Sequence, residues 1–190
     1  MHAAAVQRIL VVGDSLSAEY GLTRGTGWVA LLQQKLAQDK PSVQVINASI
    51  SGETTSGGRS RMAALLQKHQ PSHVVIELGG NDALRGLPLN MTQDNLQTMT
   101  RQAQAAGAQV LLLGMQMPPN YGQDYTKRFS DTFATVAKAN KAALVPFLLK
   151  GVADVPNAAK LFQADRIHPN ESAHPTILNT MWPAVRALLR

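Results

Sequence analysis

Short runs of β-branched and aliphatic residues recur along this chain with amphipathic stretches between them, and that alternation limits the possible folds more than any other feature. Arg8 to Val12, Val43 to Ile46, Val74 to Leu78 and Val110 to Leu113 read as buried strands. Helical spacing fills Trp28 to Ala37, Ser60 to Lys68 and Thr92 to Ala106, with Gly107 placed to end the last of these. A fifth short strand is expected near Leu144 and Val145, after a helix within Tyr125 to Asn140, and a final helix from Pro175 to Leu189. The pattern predicts an α/β fold with a central parallel sheet of about five strands, helices on both faces and right-handed crossovers. With 190 residues, no internal repeat and no linker, one domain is expected over 1–190, its first residues 1–7 a flexible N-terminal segment. The stretch Pro146 to Pro169, dense in Gly, Pro and Asn, is expected as a long surface loop with one short helix, and such loops are disproportionately functional.

Composition removes several function classes. There is no cysteine, so disulfides, thiolate nucleophiles and cysteine-ligated metals are excluded together. A net charge of +6 would fit nucleic acid, but the basic residues are scattered, with Lys127 and Arg128 the one adjacent pair, and no basic stripe forms. No apolar stretch is long enough to span a bilayer, so stable membrane insertion is not expected. The start, Met1-His2-Ala3-Ala4-Ala5, lacks the charged and apolar regions of a signal peptide, which fits a cytosolic protein or a mature form with an added methionine.

In open α/β sheets ligands gather beyond the carboxyl ends of the strands. The polar segments there are Gly13-Asp14-Ser15-Leu16-Ser17, Ser51-Gly52-Glu53-Thr54 and Gly79-Gly80-Asn81-Asp82, with Asp165-Arg166-Ile167-His168-Pro169 in the late loop. A serine hydroxyl needs a base, and histidine has the side chain with its ordinary pKa nearest neutrality. His168 follows Asp165 by three residues, a spacing that in a tight turn can set the carboxylate against one ring nitrogen and leave the other for Ser15. The same spacing also suits a turn in which Asp165 caps backbone amides and His168 is a surface residue. Donors for a developing oxyanion are available from the Ser15 amide, the Gly52 amide and the Asn81 side chain, although each nearby glycine also fits a simple turn. Asp14 points away from the chemistry and is read as holding the turn.

Taken together and in order, Gly-Asp-Ser-Leu, a glycine after the second strand, Gly-x-Asn-Asp after the third and Asp-x-x-His near the end resemble the SGNH (GDSL) hydrolases across essentially the whole chain. Asn47-Ala48-Ser49-Ile50-Ser51-Gly52 and Glu77-Leu78-Gly79-Gly80-Asn81-Asp82 are similar to the bacterial periplasmic thioesterase, arylesterase and lysophospholipase branch. The resemblance implies a flavodoxin-like three-layer α/β/α sandwich and a serine esterase or thioesterase needing no cofactor or metal. It implies Ser15, Asp165 and His168 as a triad, and Ser15, Gly52 and Asn81 as the oxyanion hole. It further implies a periplasmic or secreted enzyme acting on small acyl esters and thioesters, with sugar or alcohol acetyl transfer as the alternative use of the same groups; a monomer is expected. The sequence departs from the branch at Glu19 and Arg166, where glycine is frequent, and at Ala83 after Asn-Asp, which touches substrate preference more than reaction type.

An acyl chain is expected over Leu84, Leu87, Met117, Pro118 and Tyr121, with Arg166 favouring anionic carriers. Rival signatures fail: Ser17 stands where an α/β-hydrolase elbow has glycine, and no lysine follows the glycines after Gly52 to make a P-loop. The glycines at 25 and 27 come too far after the first strand for a dinucleotide fingerprint. His69 and His73 flank Pro71, which argues against a helical metal pair and places both in a surface loop. A non-enzymatic binding module would lack the nucleophile, the base or the asparagine, and all three are here.

Overall fold

A computed structural model describes residues 6–190. Five strands, β1 (Gln7–Gly13), β2 (Val43–Asn47), β3 (His73–Glu77), β4 (Gln109–Leu113) and β5 (Ala143–Val145), form one parallel sheet in the order β2-β1-β3-β4-β5. This is the doubly wound flavodoxin-like order. The chain leaves β1 outward to β2 and then crosses back to β3, so the connections after β1 and β3 diverge and open a crevice between them. The segments holding Ser15 and Asn81 lie on either side of that switch point.

Burial explains why these strands read so clearly. Ile9 to Val12 and all five residues of β3 are buried, so helices cover both sheet faces and no polar alternation survives. Helix α1 (Trp28–Asp39) packs against α6 (His174–Leu188), while α2 (Thr55–His69) packs on α4 (Leu89–Ala105) and α4 on α5 (Gln123–Asn140). Leu32, Leu36, Met62, Leu96, Met99, Phe129 and Phe133 fill the space between these layers, each stabilising by about 1.5 to 3 kcal/mol relative to exposure.

Several expectations need correction. The segment expected over 1–7 lies outside the described residues at 1–5, and Gln7 already belongs to β1. Helix α2 starts at Thr55 instead of Ser60, because the Thr54 side chain accepts the Gly57 amide hydrogen at 3.2 Å and caps the helix ahead of two glycines of low helix propensity. Gly58 is small because a Cβ there would sit 2.4 Å from Leu78 Cδ1. A five-residue helix not expected from the sequence, α3 (Gly80–Leu84), carries Asn81 and Asp82. His69 ends α2, and His73 is the buried first residue of β3 instead of a surface loop residue. The His73 ring meets Ser72 Oγ at 2.9 Å and the Leu188 carbonyl at 3.0 Å, and burial holds its pKa below the ordinary imidazole value. The late loop holds one 3-10 turn at Ala158–Leu161 and closes on itself through a Phe162–Pro169 bridge, and a second 3-10 turn, Glu171–Ala173, follows it into α6.

Candidate active site

The turn after β1 presents Ser15. Asp14 shapes it: its carbonyl accepts the amides of Ser17 and Ala18, and its Oδ1 accepts that of Leu16 at 2.9 Å. Ser15 Oγ lies 2.9 Å from His168 Nε2, and His168 Nδ1 lies 2.6 Å from Asp165 Oδ2. Asp165 Oδ1 meanwhile accepts the amides of Ile167 at 2.9 Å and His168 at 3.0 Å, so its turn and the imidazole are fixed by one side chain. These bonds, led by the His168 backbone amide, lower the Asp165 pKa to about 2. An ionised Asp165 on Nδ1–H leaves Nε2 as the acceptor for a serine proton.

The late loop is tied to the nucleophile turn by residues that the sequence did not single out. Gln163 Nε2 donates to the Tyr20 carbonyl at 2.8 Å and to the Pro169 carbonyl at 3.1 Å, and the Gln163 amide donates to the His168 carbonyl at 2.8 Å. The Tyr20 ring packs against the imidazole, with centroids 4.4 Å apart. Buried His174 accepts the Trp28 amide hydrogen on Nδ1 at 2.9 Å, and its ring also faces the Pro169 carbonyl, joining the start of α1 to the same loop. The contacts of Gln163 with Tyr20, of Tyr20 with His168 and of His174 with Trp28 have no local signal, because these partners lie over a hundred residues apart in sequence.

Across from His168, Gly52 has φ +80°, and its carbonyl accepts from Arg85 Nη2 at 2.9 Å. Among the described residues the amides of Ser15 and Gly52 make no bond to a backbone carbonyl. Asn81 Nδ2 donates to Asp14 Oδ2 at 3.2 Å and to the Glu53 carbonyl at 3.0 Å, which sets it between the nucleophile turn and the Gly52 loop. The neighbouring Asp82 is buried and receives the Thr55 amide and the hydroxyls of Thr55 and Thr92, anchoring α3.

Two departures from the branch pattern share one geometry. Glu19 (φ 60°) and Arg166 (φ 58°) both sit in the left-handed region, where glycine is the unstrained residue. Glu19 offsets its strain by accepting the amides of Gly25 and Gly27 on one carboxylate oxygen, each at 2.9 Å. The third departure, Ala83, is buried in α3, where alanine suits a helix better than glycine.

Of the residues expected to hold an acyl chain, Leu84 and Tyr121 are exposed, Pro118 is exposed, Leu87 is half-buried and Met117 lies within the core. A cavity of about 620 Å³ borders the nucleophile turn on its other side, lined by Ala18, Glu19, Arg24, Gln33, Asn47 and Ser49 among others. None of the five apolar residues lines it.

The model of the GDSL-like lipase/acylhydrolase family matches residues 11–174. The chain is 52% identical over 186 residues to esterase TesA of Pseudomonas aeruginosa PAO1, covering 98% of this chain and 91% of that protein. It is 41% identical over 187 residues to thioesterase 1/protease 1/lysophospholipase L1 of Escherichia coli K12, covering 98% and 87%. The crystal structure of the psychrotrophic esterase EstA from Pseudoalteromonas sp., inhibited by monoethylphosphonate, superposes with a TM-score of 0.89 at 42% identity, covering 96% of this chain and 98% of that one.

Proposed function

The chain belongs to the GDSL-like lipase/acylhydrolase family, and from that premise we propose that it hydrolyses carboxylic esters and thioesters through an acyl-enzyme on Ser15. The observation that carries this reading is the continuous line of bonds from Ser15 Oγ through His168 to Asp165, facing Gly52 and Asn81 across the crevice. Ser15 Oγ attacks the carbonyl carbon as its proton passes to His168 Nε2, and the oxyanion takes hydrogens from the Ser15 and Gly52 amides and the Asn81 side chain. The imidazolium then gives that proton to the departing alcohol or thiol. A water activated by the same nitrogen releases the acid and restores Ser15.

The relatives bear the names thioesterase, lysophospholipase and esterase, which supports acyl thioesters, lysophospholipids and simple esters as the substrate classes for this chain. Within that proposal the acyl chain rests over exposed apolar residues at the end of α3 and beyond it, with Leu84 and Tyr121 foremost, and exposed Arg166 attracts anionic leaving groups. Among the described residues no helix is long and apolar enough to cross a membrane. An exported, monomeric setting belongs to the same proposal, and cell fractionation with sedimentation of the purified protein tests it.

The deciding experiment is a fluorophosphonate probe read by mass spectrometry beside the kinetics of Ser15→Ala. A single adduct on Ser15 is expected, with a loss in kcat of about three orders of magnitude or more in a folded variant. Retention of a tenth of the activity, or an adduct elsewhere, removes Ser15 as nucleophile.

A further inference from the structure

Directly beneath the nucleophile turn lies a pair of acids that the hydrolysis above does not use. Glu77, the last residue of β3, is completely buried, and Asp14 is buried beside it, near enough for the charge of each acid to act on the other. Glu77 Oε1 accepts the Ser17 hydroxyl at 2.6 Å and faces the Asp14 amide at 3.4 Å. Its Oε2 is buried and receives no hydrogen from the protein. Asp14, by contrast, has its charge met by the Leu16 amide and the Asn81 side chain. The arrangement also explains the glycine of the Gly-Asp-Ser motif: a Cβ on Gly13 would come 2.7 Å from Ser17 Oγ and 2.9 Å from Glu77 Oε1.

Two carboxyl groups side by side and out of water, with no lysine or arginine paired to either among the described residues, do not readily both ionise. The donor pattern assigns the charge to Asp14 and leaves a proton for the undonated oxygen of Glu77. We propose that Glu77 holds one proton against Asp14 and, acting through Asp14, is a positioning residue for the Ser15 turn and the Asn81 amide. This rests on the roles given above to Ser15 and Asn81. Asn81 Nδ2 has two hydrogens and gives both away in the resting site, so a substrate oxyanion competes with Asp14 for one of them. A hydrogen bond from Glu77 to Asp14 occupies part of that carboxylate and weakens its hold on Asn81. Burial, and next the Asp14 charge, raise the Glu77 pKa well above its ordinary value, and burial raises that of Asp14 to about 6. The titratable groups acting on the pair are each other and His168, with Ser17, Leu16 and Asn81 as neutral donors.

The sign of the pH effect follows. Raising the pH through the elevated Glu77 value removes the shared proton, sets two negative charges together and pulls apart the turn that carries Ser15. Wild type, Glu77→Gln and Glu77→Ala are compared in kcat against pH, with burst titration to count competent sites. Glutamine is neutral, accepts from Ser17 and donates to Asp14, so it is expected to stay within a few-fold of wild type near neutrality and to lose the alkaline decline. Alanine removes both bonds and is expected to lose kcat by about tenfold or more, since small misplacements of reacting groups are costly. An alkaline limb unchanged in Glu77→Gln, or a folded Glu77→Gln as poor as alanine, overturns the proposal. Should the glutamine variant fail to fold, infrared spectra of wild-type protein carrying isotope-labelled glutamate decide. A protonated carboxyl stretch at neutral pH supports the shared proton, and its absence overturns it. Fluorophosphonate labelling of Ser15 is independent of these readings, so failure of the nucleophile and failure of the pair are told apart.

Discussion

Asp165 uses its two oxygens for different tasks, and this resolves two readings of its segment that the sequence left open. Oδ1 caps the amides of its own turn while Oδ2 orients the imidazole, so the structural turn and the triad coexist. Because its pKa is depressed to about 2, the stability that Asp165 contributes is present above the ordinary carboxylate value and is lost only as the pH falls toward the lowered one. Asp165 therefore stays charged under mild acid, and activity lost there reflects proton uptake elsewhere in the site. Asp165→Asn should keep the turn but present the wrong ring tautomer, lowering kcat by about 10³- to 10⁴-fold with the fold intact by circular dichroism. A tenfold effect or less would make its capping role the dominant one. Asn81→Ala should lower kcat by about 10²- to 10³-fold, with KM little changed, if its amide serves the oxyanion more than the ground state. That Ser15, His168 and Asn81 come together at one rim was legible because each falls in a short motif. Glu77 and Gln163 were not, since a glutamate ending an apolar strand and a glutamine in a loop carry no pattern until their distant partners are in place.

At the level of elements, the strands were legible to within a residue or so because complete burial makes them continuous apolar runs. Helix starts were less so: the onset of α2 depends on a Thr54 cap ahead of two glycines, and α3 is too short to show a period. Nor does the sequence show how α1 and α6 clasp the late loop, a contact that passes through His174 at the start of α6. Burial lowers the His174 pKa, so its neutral ring accepts the Trp28 amide hydrogen. The unfolded chain takes up a proton there first, so stability is fully present above the ordinary imidazole value and declines as the pH drops below it. His174→Ala leaves the buried Trp28 amide unpaired and should cost about 1 to 3 kcal/mol in urea unfolding at neutral pH. His174→Gln supplies an amide oxygen for Trp28 and an NH₂ for the Pro169 carbonyl, and should recover most of that loss while flattening the mildly acidic decline. Equal destabilisation by both variants would mean that ring packing, not these hydrogen bonds, sets the contribution of His174.

For the molecule as a whole, the parallel order β2-β1-β3-β4-β5 puts the site at the rim of the sheet, open to solvent, with the groups after β1 and β3 meeting across the switch point. The rim carries exposed apolar side chains on two sides: Tyr20 and Ile167 beside His168, and Ile50 and Leu84 near the Gly52 and Asn81 segments. In the proposed reaction His168 protonates the leaving group, which would place an aryl or thiol portion past Tyr20 and Ile167 and the acyl chain toward Leu84. An exposed strip of this kind grips each added carbon weakly. A methylene buried completely is worth about 0.8 kcal/mol, roughly fourfold in kcat/KM, and one laid on a half-open surface less. The expected profile from acetyl to palmitoyl p-nitrophenyl esters is therefore a broad rise, a few-fold at most per carbon, followed by a plateau where the chain passes beyond the rim. Leu84→Ser should flatten the rise without changing acetyl turnover, and Tyr20→Ala should act on aryl more than on methyl leaving groups. Arg166→Gly, which also relieves a left-handed backbone, should raise KM for acyl-CoA at low ionic strength and remove part of its salt dependence. A sharp optimum at acetyl with no turnover of longer chains would require a closed pocket in place of this open strip.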